Sequence, residues 1–304
     1  MLTAKEQKMS LAITSYRFIN QLSSAIAPSW TAKRALMKFL TPKRFEPKPW
    51  EIEGESTGER FNINCEISGI CWRPDNSVNP GEQKNQEQKV QEQPIQDHTE
   101  EKLALLAHGW ESRASQMYVL VPLLLDLNYK VIAIDMPAHG HSKGKYSDAD
   151  RFTETIVLAQ KEFGKFDLII GHSMGAGAAC LSLSRGVTTD KLVLISSPSS
   201  VERVILRFTR FIGLNKVAIN HFFDHCTDFV GTPPSELDSN ELLSVLNVPA
   251  LLIHDQNDIE IPLYESERLK QVFSKAELFV TEGLGHRRIL KANQVKKKIA
   301  NFLS

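Results

Sequence analysis

The chain has 304 residues but only four cysteines, Cys65, Cys71, Cys180 and Cys226, and no two of them stand in a CxxC spacing. That scarcity argues against a disulfide framework and leads us to expect a reducing, cytoplasmic setting. No apolar run approaches the roughly 18 residues needed to cross a bilayer. The N-terminus lacks a compact apolar segment followed by a small-residue cleavage site, so the expectation is a protein neither exported nor membrane-spanning. Net charge is also missing, because 36 Lys and Arg balance 36 Asp and Glu. Nothing in that balance calls for nucleic acid or an acidic polymer as a partner.

What is present is ordinary globular composition, 42% hydrophobic and 24% charged, with material for one large domain. The charges are unevenly placed. Residues 1–48 carry nine Lys or Arg against Glu6 and Glu46, and between Ser10 and Leu40 apolar residues recur at loosely helical spacing with Pro28 as an interruption. Two amphipathic helices are expected there, forming a basic N-terminal extension. Packing back on the main domain is one use for them, and weak contact with an anionic membrane surface is another. Pro42, Pro47 and Pro49 then break the pattern.

From Arg60 to Trp72, alternation at Phe61, Ile63, Cys65 and Ile67 suggests strands. Residues 80–102 are rich in Gln, Glu and Lys and cannot bury a core, so they read as a flexible insertion in a hairpin. Beyond Lys102, strand-like runs at Leu103–Ala107, Lys130–Asp135, Phe166–Gly171, Lys191–Ser196, Ala250–His254 and Ala276–Thr281 alternate with segments of helical length. These segments are 113–127, 148–163, 174–185, 262–274 and 287–303. Nearly continuous apolar strands alternating with helices specify a parallel sheet covered on both faces. Ligands of such sheets bind beyond the carboxyl ends of the strands.

Those ends carry the reactive residue types. Gly171-His-Ser173-Met-Gly175 is a Gly-x-Ser-x-Gly frame, in which a sharp strand-to-helix turn lifts the hydroxyl of Ser173 clear and small neighbours let it pass. The N–H of Met174 then opens a helix and can stabilise negative charge, and the N–H of Trp110 in His108-Gly109-Trp110 could be a second donor. Asp258 follows the strand ending at His254, with Asp255 and Glu260 as rival carboxylates. His286 follows the last strand, and histidine is the residue type suited to a proton shuttle near neutral pH. Asp135 and His139 precede the serine, and are read as fixing their loop by hydrogen bonds rather than as reacting groups.

As a set, His108-Gly-Trp, Asp135-x-Pro-x-His-Gly-x-Ser142, Gly171-His-Ser-Met-Gly175, Asp258 before Pro262, and Gly285-His286 resemble the α/β-hydrolase superfamily. The resemblance covers roughly Arg60 to Ser304. It implies an α/β-hydrolase fold with a mostly parallel eight-stranded sheet, a serine nucleophile Ser173, an acid Asp258 and a base His286, within a domain spanning 49–304. One position departs from the pattern, since the family often has glycine where this chain has Asp255. Residues 197–248 are too long for a bare crossover and rich in phenylalanine, which suits a small helical cap over the site. His221, Asp224, His225 and Cys226 within it lack a fourth ligand with open-site spacing, so no metal is expected; nor is a cofactor.

The expected function is acyl transfer to water. A serine hydrolase would cleave a small-molecule carboxylic ester or related acyl compound through an acyl-enzyme on Ser173. The same residues could serve a thioesterase or carbon–carbon bond hydrolase, or a non-catalytic protein that binds a small ligand. The sequence leaves the oligomeric state open.

Overall fold

The computed structural model describes residues 4–74, 101–238 and 248–304. Eight strands form one sheet: β1 (Glu59–Ile63), β2 (Ile67–Trp72), β3 (Lys102–Ala107), β4 (Tyr129–Ile134), β5 (Phe166–His172), β6 (Thr189–Ile195), β7 (Ala250–Asp255) and β8 (Ala276–Thr281). Their spatial order is β1-β2-β4-β3-β5-β6-β7-β8. The β1–β2 and β2–β4 pairs are antiparallel, and every other pair is parallel. The α/β-hydrolase architecture implied by the sequence is therefore present. Residues 80–100 of the expected insertion lie outside the described residues, and Lys102 begins β3. The flanking strands, β2 and β3, are separated in the sheet by β4, so the insertion does not sit in a hairpin.

Strict alternation along the inner strands sends neighbours to opposite faces. Leu105, Ile132, Ile169, Leu192 and Leu252 face one core. Ala104, Leu106, Val131, Ala133, Val193 and Leu251 face the other. On the first face pack α5 (Ala149–Phe163) and α6 (Met174–Ser184), and later in the chain α9 (Tyr264–Val272), through Phe152, Ile156, Ala176, Leu183 and Leu269. On the second lie a 3-10 turn (Ala114–Leu120), α4 (Val121–Asp126) and α11 (Asn293–Leu303).

Two predicted helices are interrupted. The 113–127 segment begins as the 3-10 turn and becomes α-helical only at Val121, with Pro122 in the first turn of α4, where its missing N–H costs nothing. The 287–303 segment is a short helix α10 (Gly285–Arg288), a 3-10 turn, an extended Ala292 and then α11. The break lets Ile289 and Leu290 as well as Val295 and Ile299 reach one core, which a single regular stripe would not.

A third apolar cluster lies above the carboxyl edge of the sheet. Here α1 (Ala4–Ile26) and α2 (Pro28–Phe39) meet α7 (Val201–Phe211) and α8 (Lys216–Val230). Ala218, Phe222 and Cys226 recur every four residues along α8 and pack with Ala32, Ala35 and Leu36 of α2. The small side chains permit close helix approach. Pro28 sits at the start of α2, where its lack of an N–H is harmless. Residues 239–247 of the expected cap lie outside the described residues.

A charged clamp joins this helical layer to the sheet. Glu265 of α9 is fully buried and accepts hydrogen bonds from the N–H and hydroxyl of Ser199 and from Arg203 and Arg207 of α7. Burial raises its pKa, but these donors outweigh that and hold the carboxyl below the usual glutamate value. Glu265→Gln keeps the shape but removes the charge facing two guanidinium groups. We expect it to lower unfolding free energy by roughly 1–3 kcal/mol, measured by urea denaturation.

Candidate active site

The sharpest local feature is the turn between β5 and α6. Ser173 has φ 55° and ψ −123°, a conformation that side-chain-bearing residues seldom adopt. Close packing explains how the turn is held. A Cβ on Gly171 would lie 2.4 Å from Cα of Ala176, and one on Gly175 would lie 2.4 Å from the carbonyl oxygens of Ala107 and His108. A Cβ on Gly109 would come within 2.9 Å of Cβ of Ser173. The N–H of Ser173 donates to the carbonyl of Ile195 at 2.9 Å, tying the turn to β6.

Around that serine the structure brings together residues 85 and 113 positions from it in the chain. The Ser173 Oγ is 2.9 Å from Nε2 of His286, and Nδ1 of His286 is 2.7 Å from Oδ2 of Asp258. The other oxygen of Asp258 accepts the N–H groups of Glu260 and Ile261, each at 2.9 Å. Burial raises the pKa of Asp258, but His286 and the Ile261 N–H outweigh it, leaving the carboxyl below the ordinary aspartate value. It is thus an anion facing an imidazole N–H. This fixes the tautomer with Nδ1 protonated and leaves Nε2 free to accept the serine proton.

The rival carboxylates have other partners. Asp255 accepts from the N–H groups of Asn257 and Leu284 and from the Thr281 hydroxyl. It anchors the loop that carries His286, and does not touch the imidazole. Glu260 pairs with Arg287 at 3.4 Å. Asp135 and His139 also fix their loops: Asp135 receives the N–H groups of Ala114 and His141, and His139 Nε2 accepts the N–H of Glu111. His221 lies 3.8 Å from Asp224, and His225 contacts Ser29. Among the described residues no group of three or more His, Cys, Asp or Glu could hold a metal ion.

Met174 opens α6, so its N–H is one of the donors for which a helix supplies no carbonyl. Trp110 follows Gly109, whose backbone presses on Ser173. Two cavities meet at Phe39 and Trp110. One contains Ser173 and His286 and is walled by Lys38, Lys43, Glu111, Phe208, Phe211 and Glu260. The other is almost wholly apolar, with Met174, Leu181, Val201, Ile205 and Leu237 in its wall. Sequence reasoning missed that α2 lines both. It also missed the positioning histidines: His172 donates from Nε2 to the carbonyl of His286, His254 donates to that of Ile261, and His108 accepts the N–H of Met136. Imidazoles adjoining the strand ends were the available signal, but their partners are set by the tertiary fold.

Burial disfavours the charged form of these rings. It pushes His108 down to about 4, and His139 and His172 to about 3. In the unfolded chain the same histidines titrate near 6.5. Below that pH the unfolded state therefore binds protons that the folded state refuses, and stability falls as pH falls towards 4. Each histidine held neutral contributes a slope of up to about 1.4 kcal/mol per pH unit. The urea midpoint should decline steeply between pH 6.5 and 4.5, and a flat profile across that range would contradict the assignment.

The alpha/beta hydrolase family model matches residues 104–295, well over half of the chain. A serine hydrolase-like protein of Dictyostelium discoideum is 30% identical over 139 residues, covering 44% of this chain. The chain spans 30% of the length of that relative. Among solved structures, an esterase of Pyrococcus furiosus aligns over 87% of this chain and 96% of its own, with 22% identity and a TM-score of 0.57. A meta-cleavage product hydrolase of Pseudomonas fluorescens aligns over 66% of this chain and 90% of its own, with 20% identity and a TM-score of 0.51. At such identities the likeness to solved structures is one of fold.

Proposed function

This chain belongs to the alpha/beta hydrolase family, and on that premise we propose that it is a serine hydrolase cleaving carboxylic esters of small molecules through an acyl-enzyme on Ser173. The observation that carries the reading is the unbroken hydrogen-bonded series from Ser173 Oγ through His286 to Asp258, attached to a serine in a strained turn. Ser173, His286 and Asp258 act as the catalytic triad. His286 Nε2 takes the hydroxyl proton as Oγ attacks the carbonyl carbon, and Asp258 stabilises the imidazolium that forms. The N–H groups of Met174 and Trp110 serve as the oxyanion hole, each worth about 3 kcal/mol to the transition state.

Collapse of the tetrahedral intermediate expels the alcohol, which receives the proton from His286. Water then attacks the acyl-enzyme, with His286 again accepting the proton, and the carboxylic acid departs. The helices of residues 197–248, with α2, act as a cap. The apolar chamber suits the acyl chain, and the polar-walled chamber around Ser173 suits the alcohol portion.

Ser173→Ala should lower kcat for nitrophenyl esters by at least about 10³-fold with little change in thermal midpoint. Asp258→Asn should cost about 10⁴-fold through the wrong imidazole tautomer. Full activity of Ser173→Ala would sink the reading. A panel of esters, thioesters and diketones, with chain length varied, separates ester cleavage from thioester or carbon–carbon cleavage at the same serine.

A further inference from the structure

Helix α1 is amphipathic the wrong way round for a packed helix. Asn20 and Ser24 are buried, at 0% and 1% exposure, on the side facing α2 and the α7–α8 turn. Asn20 donates to the carbonyl of Ile212 and accepts from Arg34, and Arg17 donates to the carbonyl of Phe211. The apolar side chains point away. Phe18, Ile19, Leu22 and Ile26 are exposed, with Ile26 at 86%. At 100° per residue they fall within about 100° of helix arc, opposite Asn20 and Ser24. Trp30, at the start of α2, is exposed as well.

The charge around this stripe is of one sign. From Gln7 to Arg44 the sequence contains Lys8, Arg17, Lys33, Arg34, Lys38, Lys43 and Arg44 and not one Asp or Glu. The side chains of Lys33 and Lys38 are exposed. Basic charge alone would suit any polyanion. A continuous stripe of Phe, Ile and Leu does not: it costs free energy in water, and beside a run of cations an anionic bilayer relieves both the stripe and the charge.

We infer that α1 and the start of α2 dock on an anionic lipid bilayer, with Phe18, Ile19, Leu22, Ile26 and Trp30 in the acyl boundary and the cations among the headgroups. This helix lies in the interface rather than across it: no helix among the described residues is long and apolar enough to span a membrane. Phe211, whose carbonyl accepts from Arg17 of α1, and Lys38 of α2 also wall the cavity that holds Ser173. The inference is independent of the reaction assigned to Ser173.

The test is flotation of the full chain with vesicles of phosphatidylcholine alone or with about 30 mol% phosphatidylserine. Binding should be at least about fivefold stronger on the anionic vesicles, and should weaken as salt rises from about 0.1 to 0.5 M. The triple variant Phe18→Ser/Leu22→Ser/Ile26→Ser should lose binding by about tenfold or more with an unchanged thermal midpoint. Lys33→Glu, which leaves the stripe intact, should weaken binding severalfold and only on anionic vesicles. Equal binding to both vesicle types, or retention by the triple variant, would overturn the inference. So would a wild-type dimer that the triple variant converts to monomer, since a second copy would then cover the stripe.

Discussion

Everything at this site hangs on one backbone conformation, the φ 55° and ψ −123° of Ser173. Such a conformation costs on the order of 1–3 kcal/mol and persists only where its surroundings over-determine it. Here the surroundings are backbone atoms rather than side chains. Gly171 abuts Ala176, Gly175 abuts the end of β3, and Gly109 abuts the serine itself. Two segments, the β5–α6 turn and the end of β3, are thus brought to van der Waals contact at one point by three residues without Cβ. The restoring force comes from the central strands, whose burial on both faces makes the sheet too stiff to relax the turn.

The second requirement is a polar scaffold inside a dry interior. His108, His139, His172 and His254 are each hydrogen-bonded to a backbone group of a loop at the carboxyl edge of the sheet. Kept neutral by burial, they act as fixed donors and acceptors rather than as charges. Asp255 does the same for the loop of His286, while Asp258 alone of the nearby carboxylates reaches the ring. Two aspartates three residues apart thereby divide the work of placing one imidazole.

Much of this was legible in the sequence because it depends on chain order and local sterics. Small residues flanking Ser173, apolar runs separated by helical lengths, and an acid then a histidine after the last strands all have one-dimensional signatures. The choice of Asp258 over Asp255 had only Pro262 behind it, because it turns on which carboxylate the β7 turn aims at the ring. The place of α2 had no such signature, since its Phe39 reaches a cavity formed by residues more than sixty positions away. The hairpin placed across residues 80–102 failed because strand pairing depends on the order of strands in the sheet. In α1, helical spacing of apolar residues correctly indicated a helix, but spacing does not say which side faces the protein. There the inward positions went to Asn20, which donates to the Ile212 carbonyl, and to the buried Ser24.

The groups assigned to bond cleavage, from Trp110 to His286, all lie within the stretch shared with the family, whereas Phe39 and Leu40, which wall the apolar chamber, lie before it. Part of the selectivity is consequently written outside the stretch that holds the reactivity. Drift or recombination within the first forty residues can reshape what fits beside the serine while every reacting atom stays in register. An N-terminal helix pair of this kind gives evolution one replaceable wall beside a fixed reaction centre.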